Sequence, residues 1–453
     1  MLALAGCGTS SNTGPGPGQV GYVRGFLGQV AADDPRAALV ARDVLSTGGN
    51  AADAAVAAGF ALGVSLPSRA GLGGGGACLI FQPQRNITEA VLFPAGARSM
   101  VSAGADRPAA VPLMARGLFA LHTRGGRLPF EQLITPAEQS ARFGIEVSRA
   151  LAADLAVAGV PLAADPWARL VFATPDGQPL AEGARLLQPD LASTLASLRT
   201  AGVGDMYQGV LARRIENASR PAGGMLTIAE LRAAVPVVAE PLTTPGPSTG
   251  DSIAWLPTAG GVGAAATFRA LPGAGAAEAG LGAARALRSG GGDPAAVLAS
   301  APVAGGGAFT PLPASTGLLV VDREGMAVTC AFSMNNLFGT GRMAQGLGFL
   351  FAAAPGTGRI EPPLLSAAIV TNTALRGFRA ASVGTGQTGA PMGAAAPLAA
   401  ALGGATATEA LRSLPDPARG LLASCPRYVP GVPEQCTAAA DPRGFGVALG
   451  TLD

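Results

Sequence analysis

Hydrophobic and polar positions are most sharply organised between Ser315 and Gly341. Ser315 and Thr316 precede the apolar run Gly317-Leu318-Leu319-Val320-Val321; the polar stretch Asp322-Arg323-Glu324-Gly325 follows. A second apolar run, Ala327 to Phe332, ends in Ser333, Met334 and Asn335. Two Val- and Leu-rich runs separated by a polar stretch ending in glycine predict a β-hairpin. In an antiparallel pair the start of one strand lies beside the end of the other, so Ser315 and Thr316 are expected to meet Ser333 and Asn335. Spacing alone makes this a core hairpin with a polar rim and assigns it no chemistry.

Upstream, helix-forming residues from Ala37 to Leu45 are closed by Gly48-Gly49, and Asn50-Ala51-Ala52-Asp53 opens a second helix, Ala54 to Val64, stopped at Pro67. This second helix is mostly alanine and suited to close packing; Asp53 and its short length exclude a membrane span. Gly71-Leu72-Gly73-Gly74-Gly75-Gly76 has the GxGxxG spacing, but it follows a helix and opens the strand-like Ala77 to Phe81. A dinucleotide fingerprint has the opposite order, so no cofactor is expected, and the glycines read as a place of close backbone approach.

Composition narrows the chemistry. With 453 residues the chain is either two domains or one large layered domain. It holds 66 Gly and 37 Pro, is 49% hydrophobic and only 13% charged. Much of the apolar fraction is alanine, which buries little area per residue, so hydropathy is no membrane signal. A net charge of +2 without a long basic run gives no reason to expect nucleic acid or an anionic membrane surface as partner. There is a single histidine, His122, placed before Gly125-Gly126 at the apparent end of a helix, where a cation meets the helix dipole favourably. A histidine-rich metal site is therefore excluded, and catalysis needs a base other than histidine.

Leu4-Ala5-Gly6-Cys7 has the form of a bacterial lipobox, followed by a Ser/Gly/Pro-rich tether to about Gly18. It leads to the expectation of a lipid anchor at Cys7 and a periplasmic place in a bacterial cell envelope. Cys425 and Cys436 flank a Pro-rich loop suited to a local disulfide, whereas Cys78 and Cys330, in apolar runs, are expected as buried core thiols. No CxxC pair suggests a metal site.

Gly48-Gly49-Asn50-Ala51-Ala52-Asp53-Ala54-Ala55-Val56-Ala57, then Leu66-Pro67, then Gly71-Leu72-Gly73-Gly74-Gly75 resemble the N-terminal signature of the γ-glutamyltranspeptidase family. Ala110-Val111-Pro112, Gly117-Leu118, Pro136-Ala137, Ala141-Arg142-Phe143-Gly144, Tyr207, Gly223-Gly224, Leu226-Thr227, Leu231 and Asp441-Pro442-Arg443 follow in that family's order. The resemblance implies an α+β fold, a four-layer αββα sandwich of N-terminal-nucleophile type. It implies a tether over residues 1–20, a large-subunit-like region over 21–314 and a small-subunit-like region over 315–453.

In that family the precursor cuts itself and the new N-terminal hydroxyl is the nucleophile. With Asp322 in register, the resemblance puts Ser315 at the nucleophile, Thr316 at a second hydroxyl, Gly317 at the family's histidine, Ser333 at the hydroxyl that bonds the nucleophile, and Asn335 at the substrate's amino side. Cleavage of Ala314-Ser315 would free an α-amine with a pKa of about 8, near enough to neutrality to take the hydroxyl proton. The oxyanion loop maps onto residues 384–389, with Gly384, Gly386, Gln387 and Thr388, and works through backbone N–H groups. Departures concern the substrate. The family's carboxylate-clamping arginine falls at Phe93-Pro94-Ala95, with Arg98 as the nearby substitute; its Asn-Asn run and aspartate fall at Ala352-Ala353-Ala354-Pro355; its paired serines leave only Ser366. Two expectations follow: an acyl-transferring amidohydrolase acting through Ser315 on a glutathione-like or related small-molecule amide, its two fragments staying associated, or an uncleaved envelope lipoprotein that keeps the fold as a binding or scaffold module.

Overall fold

The computed structural model describes residues 26–450 except 97, 99, 100, 102, 103, 301–314 and 359. The Cys7 motif, the tether and Ala314 lie outside the described residues. Strands in chain order are β1 (Gly28–Ala32), β2 (Gly75–Gln82), β3 (Ile87–Phe93), β4 (Ile145–Glu146), β5 (Arg185–Leu186), β6 (Val237–Ala239), β7 (Leu242–Pro245), β8 (Asp251–Trp255), β9 (Ser315–Asp322), β10 (Ala327–Ser333), β11 (Ser366–Asn372), β12 (Gly377–Thr385), β13 (Arg419–Val429), β14 (Thr437–Ala440) and β15 (Val447–Leu449). Apart from the β4–β5 ribbon they make two sheets, β15-β1-β9-β10-β2-β3-β6 and β14-β13-β12-β11-β8-β7.

Alternation along the strands makes the layers. Leu319, Val321, Ala331, Leu79 and Phe81 of the first sheet meet Ile369, Ala381, Val383 and Leu421 of the second in one apolar cluster. The intervening residues Leu318, Val320, Phe332 and Ile80 point the other way, into a cluster with α1 (Pro35–Ser46), α2 (Ala51–Ser65), α3 (Met114–Gly125), α4 (Phe130–Phe143) and α5 (Arg149–Leu162). The outer face of the second sheet, through Ile253, Trp255, Val370 and Leu422, packs on helices Ala259–Ala270 and Ala390–Leu402. The result is the expected αββα sandwich. Residues before and after position 315 share its first sheet, so the two regions have one core.

The N-terminal helices begin where the polar residues indicated. Asp34 caps α1 by accepting from the Arg36 N–H, and Asn50 and Asp53 form a reciprocal capping box on α2. Asp53 is fully buried because it also accepts from the backbone N–H groups of Arg127 and Leu128. His122 lies in the last turn of α3 with Nε2 2.7 Å from the Leu128 carbonyl oxygen. Among the described residues no helix is long and apolar enough to cross a membrane.

The cysteines require one correction. Cys425 and Cys436 form the local disulfide, but Cys78 and Cys330 are also bonded to each other rather than being free thiols. Their residues face each other in the β2–β10 register, a pairing between positions 252 apart in sequence that an apolar run does not reveal.

Candidate active site

The hairpin of β9 and β10 pairs Ser315 with Ser333, as expected, but Thr316 with Phe332, and the Thr316 hydroxyl donates to Asp33 on the other face of the strand. By strand parity Ser315 and Ser333 lie on the face that carries Leu319 and Ala331, toward the second sheet. Ser315 is 2% exposed and its Oγ has no hydrogen-bond partner among the described residues. A buried hydroxyl left unpaired on the first residue of a central strand is costly and calls for a partner that the folded chain does not supply.

Asn335 is held in the left-handed region at φ 61° just beyond β10. Its N–H donates to Ser333 Oγ at 2.8 Å, and its Nδ2 donates to the carbonyl oxygens of Ala95 at 3.0 Å and Ala353 at 2.8 Å. With both amide protons used, Oδ1 is buried and unpaired, a free acceptor near Ser333. Ala95 and Ala353 belong to the two loops that resemble the family's charged clamps, and here each presents a backbone carbonyl to Asn335.

The relation of the sheets brings the glycine loop toward Ser315. At one end Gly325 abuts Val429, the partner of Phe378 near the start of β12; further along, Gly317 abuts Val383 near its end. Ser315 is two residues beyond Gly317 and Thr385 two beyond Val383, so β9 and β12 run on toward the same end of the sandwich. A Cβ on Gly384 would lie 1.9 Å from the Ala390 carbonyl oxygen, so glycine is required where the strand meets helix Ala390–Leu402. Gly386 at φ 96° and Gln387 at φ 51° then turn the chain into a short 3-10 turn, Gln387–Gly389, whose leading amides, of Gln387 and Thr388, have no acceptor within the turn. Such amides are the donor type an oxyanion hole uses.

Two predicted residues are placed differently. Arg98 gives hydrogen bonds to Glu230 (Nε–Oε1 2.8 Å) and to the carbonyl oxygens of Gly224 and Met225 (both 2.6 Å), so its guanidinium ties the loop before α3 to the chain near Thr227. Ser366 lies on the parity of Ala368 and Val370, which face the outer helices; a Cβ on Gly260 would come 2.6 Å from its Oγ, and that Oγ reaches only the Leu364 carbonyl oxygen, at 3.5 Å. Neither joins the Ser315 cluster through a hydrogen bond.

Gly317 also has a steric reason. A Cβ there would stand 2.5 Å from Val383 Cγ1, leaving no room for the family's histidine. Gly317→Ala is therefore expected to destabilise by about 1–3 kcal/mol through overpacking, and Val383→Ala to relieve part of that loss. Denaturant unfolding of both single variants and the double variant checks this; an unchanged Gly317→Ala would mean that the sheets separate easily here.

Sequence reasoning missed Asp33. It follows β1, is 6% exposed, and its Oδ2 accepts from Thr316 Oγ1 at 3.1 Å and from the Gly317 N–H at 3.0 Å. Burial pushes its carboxyl up to about 6, while Arg69 and those two hydrogen bonds act in the opposite direction. An acidic residue just before a helix reads as a cap, and only pairing with a strand 284 positions away reveals the contact.

This structure superposes on a cephalosporin acylase from Bacillus halodurans with a TM-score of 0.76 over 97% of this chain and 98% of that one, at 19% identity, a likeness of fold alone. Helicobacter pylori gamma-glutamyltranspeptidase superposes with a TM-score of 0.51 at 27% identity, over 61% of this chain and 85% of that one. The fold is thus that of the N-terminal-nucleophile hydrolases. The family model of gamma-glutamyltranspeptidase matches residues 37–287, and the chain belongs to that family. Glutathione hydrolase 2 of Arabidopsis thaliana is 32% identical over 232 residues, and the glutathione hydrolase proenzyme of Escherichia coli 32% over 241 residues. These matches cover 48% and 49% of this chain but only 39% and 41% of those relatives' own lengths. The family match ends before Ser315.

Proposed function

We propose that the chain is an acyl-transferring amidohydrolase that activates itself by cutting Ala314-Ser315. The observation that carries this reading is the buried, unpartnered Oγ of Ser315 on the first residue of β9. In self-cleavage Ser315 Oγ attacks the Ala314 carbonyl, the acyl group passes from nitrogen to oxygen, and water splits the ester into an Ala314 carboxylate and a free Ser315 α-amine. In turnover that amine, with a pKa of about 8, takes the Oγ proton as Oγ attacks an amide carbonyl. The Gln387 and Thr388 amides receive the oxyanion, the amine returns the proton to the leaving nitrogen, and water or an acceptor amine releases the acyl group. Ser333 orients the nucleophile, Thr316 holds the start of β9 through its hydrogen bond to Asp33, and Asn335 Oδ1 accepts a hydrogen bond from the substrate.

The acyl group is one related to γ-glutamyl but without its charged head. The Ala95 and Ala353 loops carry no charged side chain at their contacts with Asn335, and losing charge-assisted hydrogen bonds typically costs a few kcal/mol, which favours an uncharged acyl group over a zwitterionic γ-glutamyl head. Two disulfides and the Leu4-to-Cys7 motif support an oxidising, envelope setting with a lipid anchor at Cys7. The test is to incubate the protein with γ-glutamyl and butyryl p-nitroanilides and quench in acid. An acyl adduct on the fragment beginning at Ser315, with butyryl turned over at least about tenfold faster per molar concentration, is the expected result. Absence of adduct and of nitroaniline release with both probes would sink the enzyme reading in favour of a binding module.

A further inference from the structure

Three hydrogen bonds clasp the residues after Ser315 to Asp33: the two accepted by its Oδ2, and one from the Asp33 N–H to the Gly317 carbonyl oxygen at 3.2 Å. The charges facing this carboxylate come from two places. Arg69, on the connection between α2 and β2, is the attractive one, and it is held by Asp154 of α5 through hydrogen bonds of 2.8 and 2.6 Å. Ser68 donates to the same Asp154 oxygen at 2.6 Å, fixing the connection further. Asp441, after β14, is the repulsive one, and its own charge is paired with Arg443 at 2.7 Å. Asp34, next in sequence, is turned to cap α1.

A neutral side chain of the same shape would hold Thr316 and the Gly317 amide without the penalty of burying a charge. Arg69 offsets part of that penalty, and the α-amine of Ser315, one residue from Thr316, adds a second positive charge near the carboxylate whenever it takes a proton. We propose that Asp33 is a positioning residue of the Ser315 site, holding the end of β9 in register after the chain is cut and stabilising the ammonium formed there. This rests on the reading of Ser315 as an N-terminal nucleophile. The role needs ionised Asp33, so rate falls as pH drops through about 6. Stability moves the other way: a carboxyl whose folded pKa is raised contributes stability that is present below the unfolded value and lost as pH rises through the folded one. A merely structural residue would not separate the two trends.

The test follows cleavage of freshly synthesised precursor by intact mass under reducing, denaturing conditions, and nitroaniline release by the mature protein, between about pH 5 and 8, for wild type, Asp33→Asn and Asp33→Glu. Asp33→Asn is expected to slow both steps about ten- to hundredfold at neutral pH, to abolish the acid limb near 6 in precursor cleavage while turnover keeps the limb set by the α-amine, and to leave the melting temperature at pH 7 unchanged or higher. Asp33→Glu restores part of the rate and the cleavage limb. Wild-type rates and an unaltered cleavage limb in Asp33→Asn overturn the inference, as does a slowing matched by a fall in melting temperature that Asp33→Glu does not rescue. A wild type that neither cuts nor turns over either anilide overturns instead the assignment of Ser315 on which the inference rests.

Discussion

Ser315→Ala is expected to stay one uncut chain under reducing, denaturing conditions, whereas wild type separates into fragments 1–314 and 315–453. On the proposed assignment the alanine removes the atom that attacks the Ala314 carbonyl and forms the acyl ester, so self-cleavage and turnover are expected to be lost together. A nucleophile deletion of this kind costs about 10⁴-fold or more. The fold survives, because Ser315 Oγ makes no hydrogen bond among the described residues and its loss leaves no partner stranded. Melting at or above the wild-type temperature is the accompanying expectation. N-terminal sequencing of the smaller wild-type fragment separates Ser315 from its neighbour: a first residue of Thr316 would move the nucleophile by one position. A Ser315→Ala protein that still yields two fragments would refute the assignment.

The parts of this site that were legible in the sequence are those fixed by local pattern. Alternation in Gly317 to Val321 and Ala327 to Phe332 placed Ser315 opposite Ser333, because antiparallel register follows from the turn and from which face is buried. The loop over residues 384–389 was placed by resemblance, and the structure shows left-handed backbone angles there at Gly386 and Gln387. What was hidden depends on which distant segments meet. Asp33 carries no local signal of its role, because only the pairing of β1 with β9 brings it to Thr316 and Gly317. Arg98 looked available because the sequence does not show that Glu230 and two carbonyl groups absorb its donors. Ser366 is a case of parity: one position along β11 decides between the face toward Ser315 and the face toward helix Ala259–Ala270, and alignment by resemblance does not resolve a single step.

Cleaved wild-type protein is expected to run as a single species on a denaturing gel without reductant. Cys78 lies in the segment before Ala314 and Cys330 in the segment after it, and their bond across β2 and β10 joins the two fragments covalently. Both cysteines are fully buried, so reductant alone leaves the native protein intact, and reductant with denaturant releases the fragments. Without the bond the cut protein is a two-chain complex whose stability depends on concentration; with it, the second chain is held at high effective concentration. Cys78→Ala combined with Cys330→Ala should therefore give two bands without reductant, cost about 2–5 kcal/mol of stability, and melt at a temperature that falls on dilution, which the wild type does not. Combining this pair with Ser315→Ala distinguishes the tether from local packing. The uncut chain is already continuous, so its melting temperature should be independent of dilution with or without the cysteines. If the uncut triple variant melts lower on dilution, or the cut double variant does not, the bond is not what joins the halves.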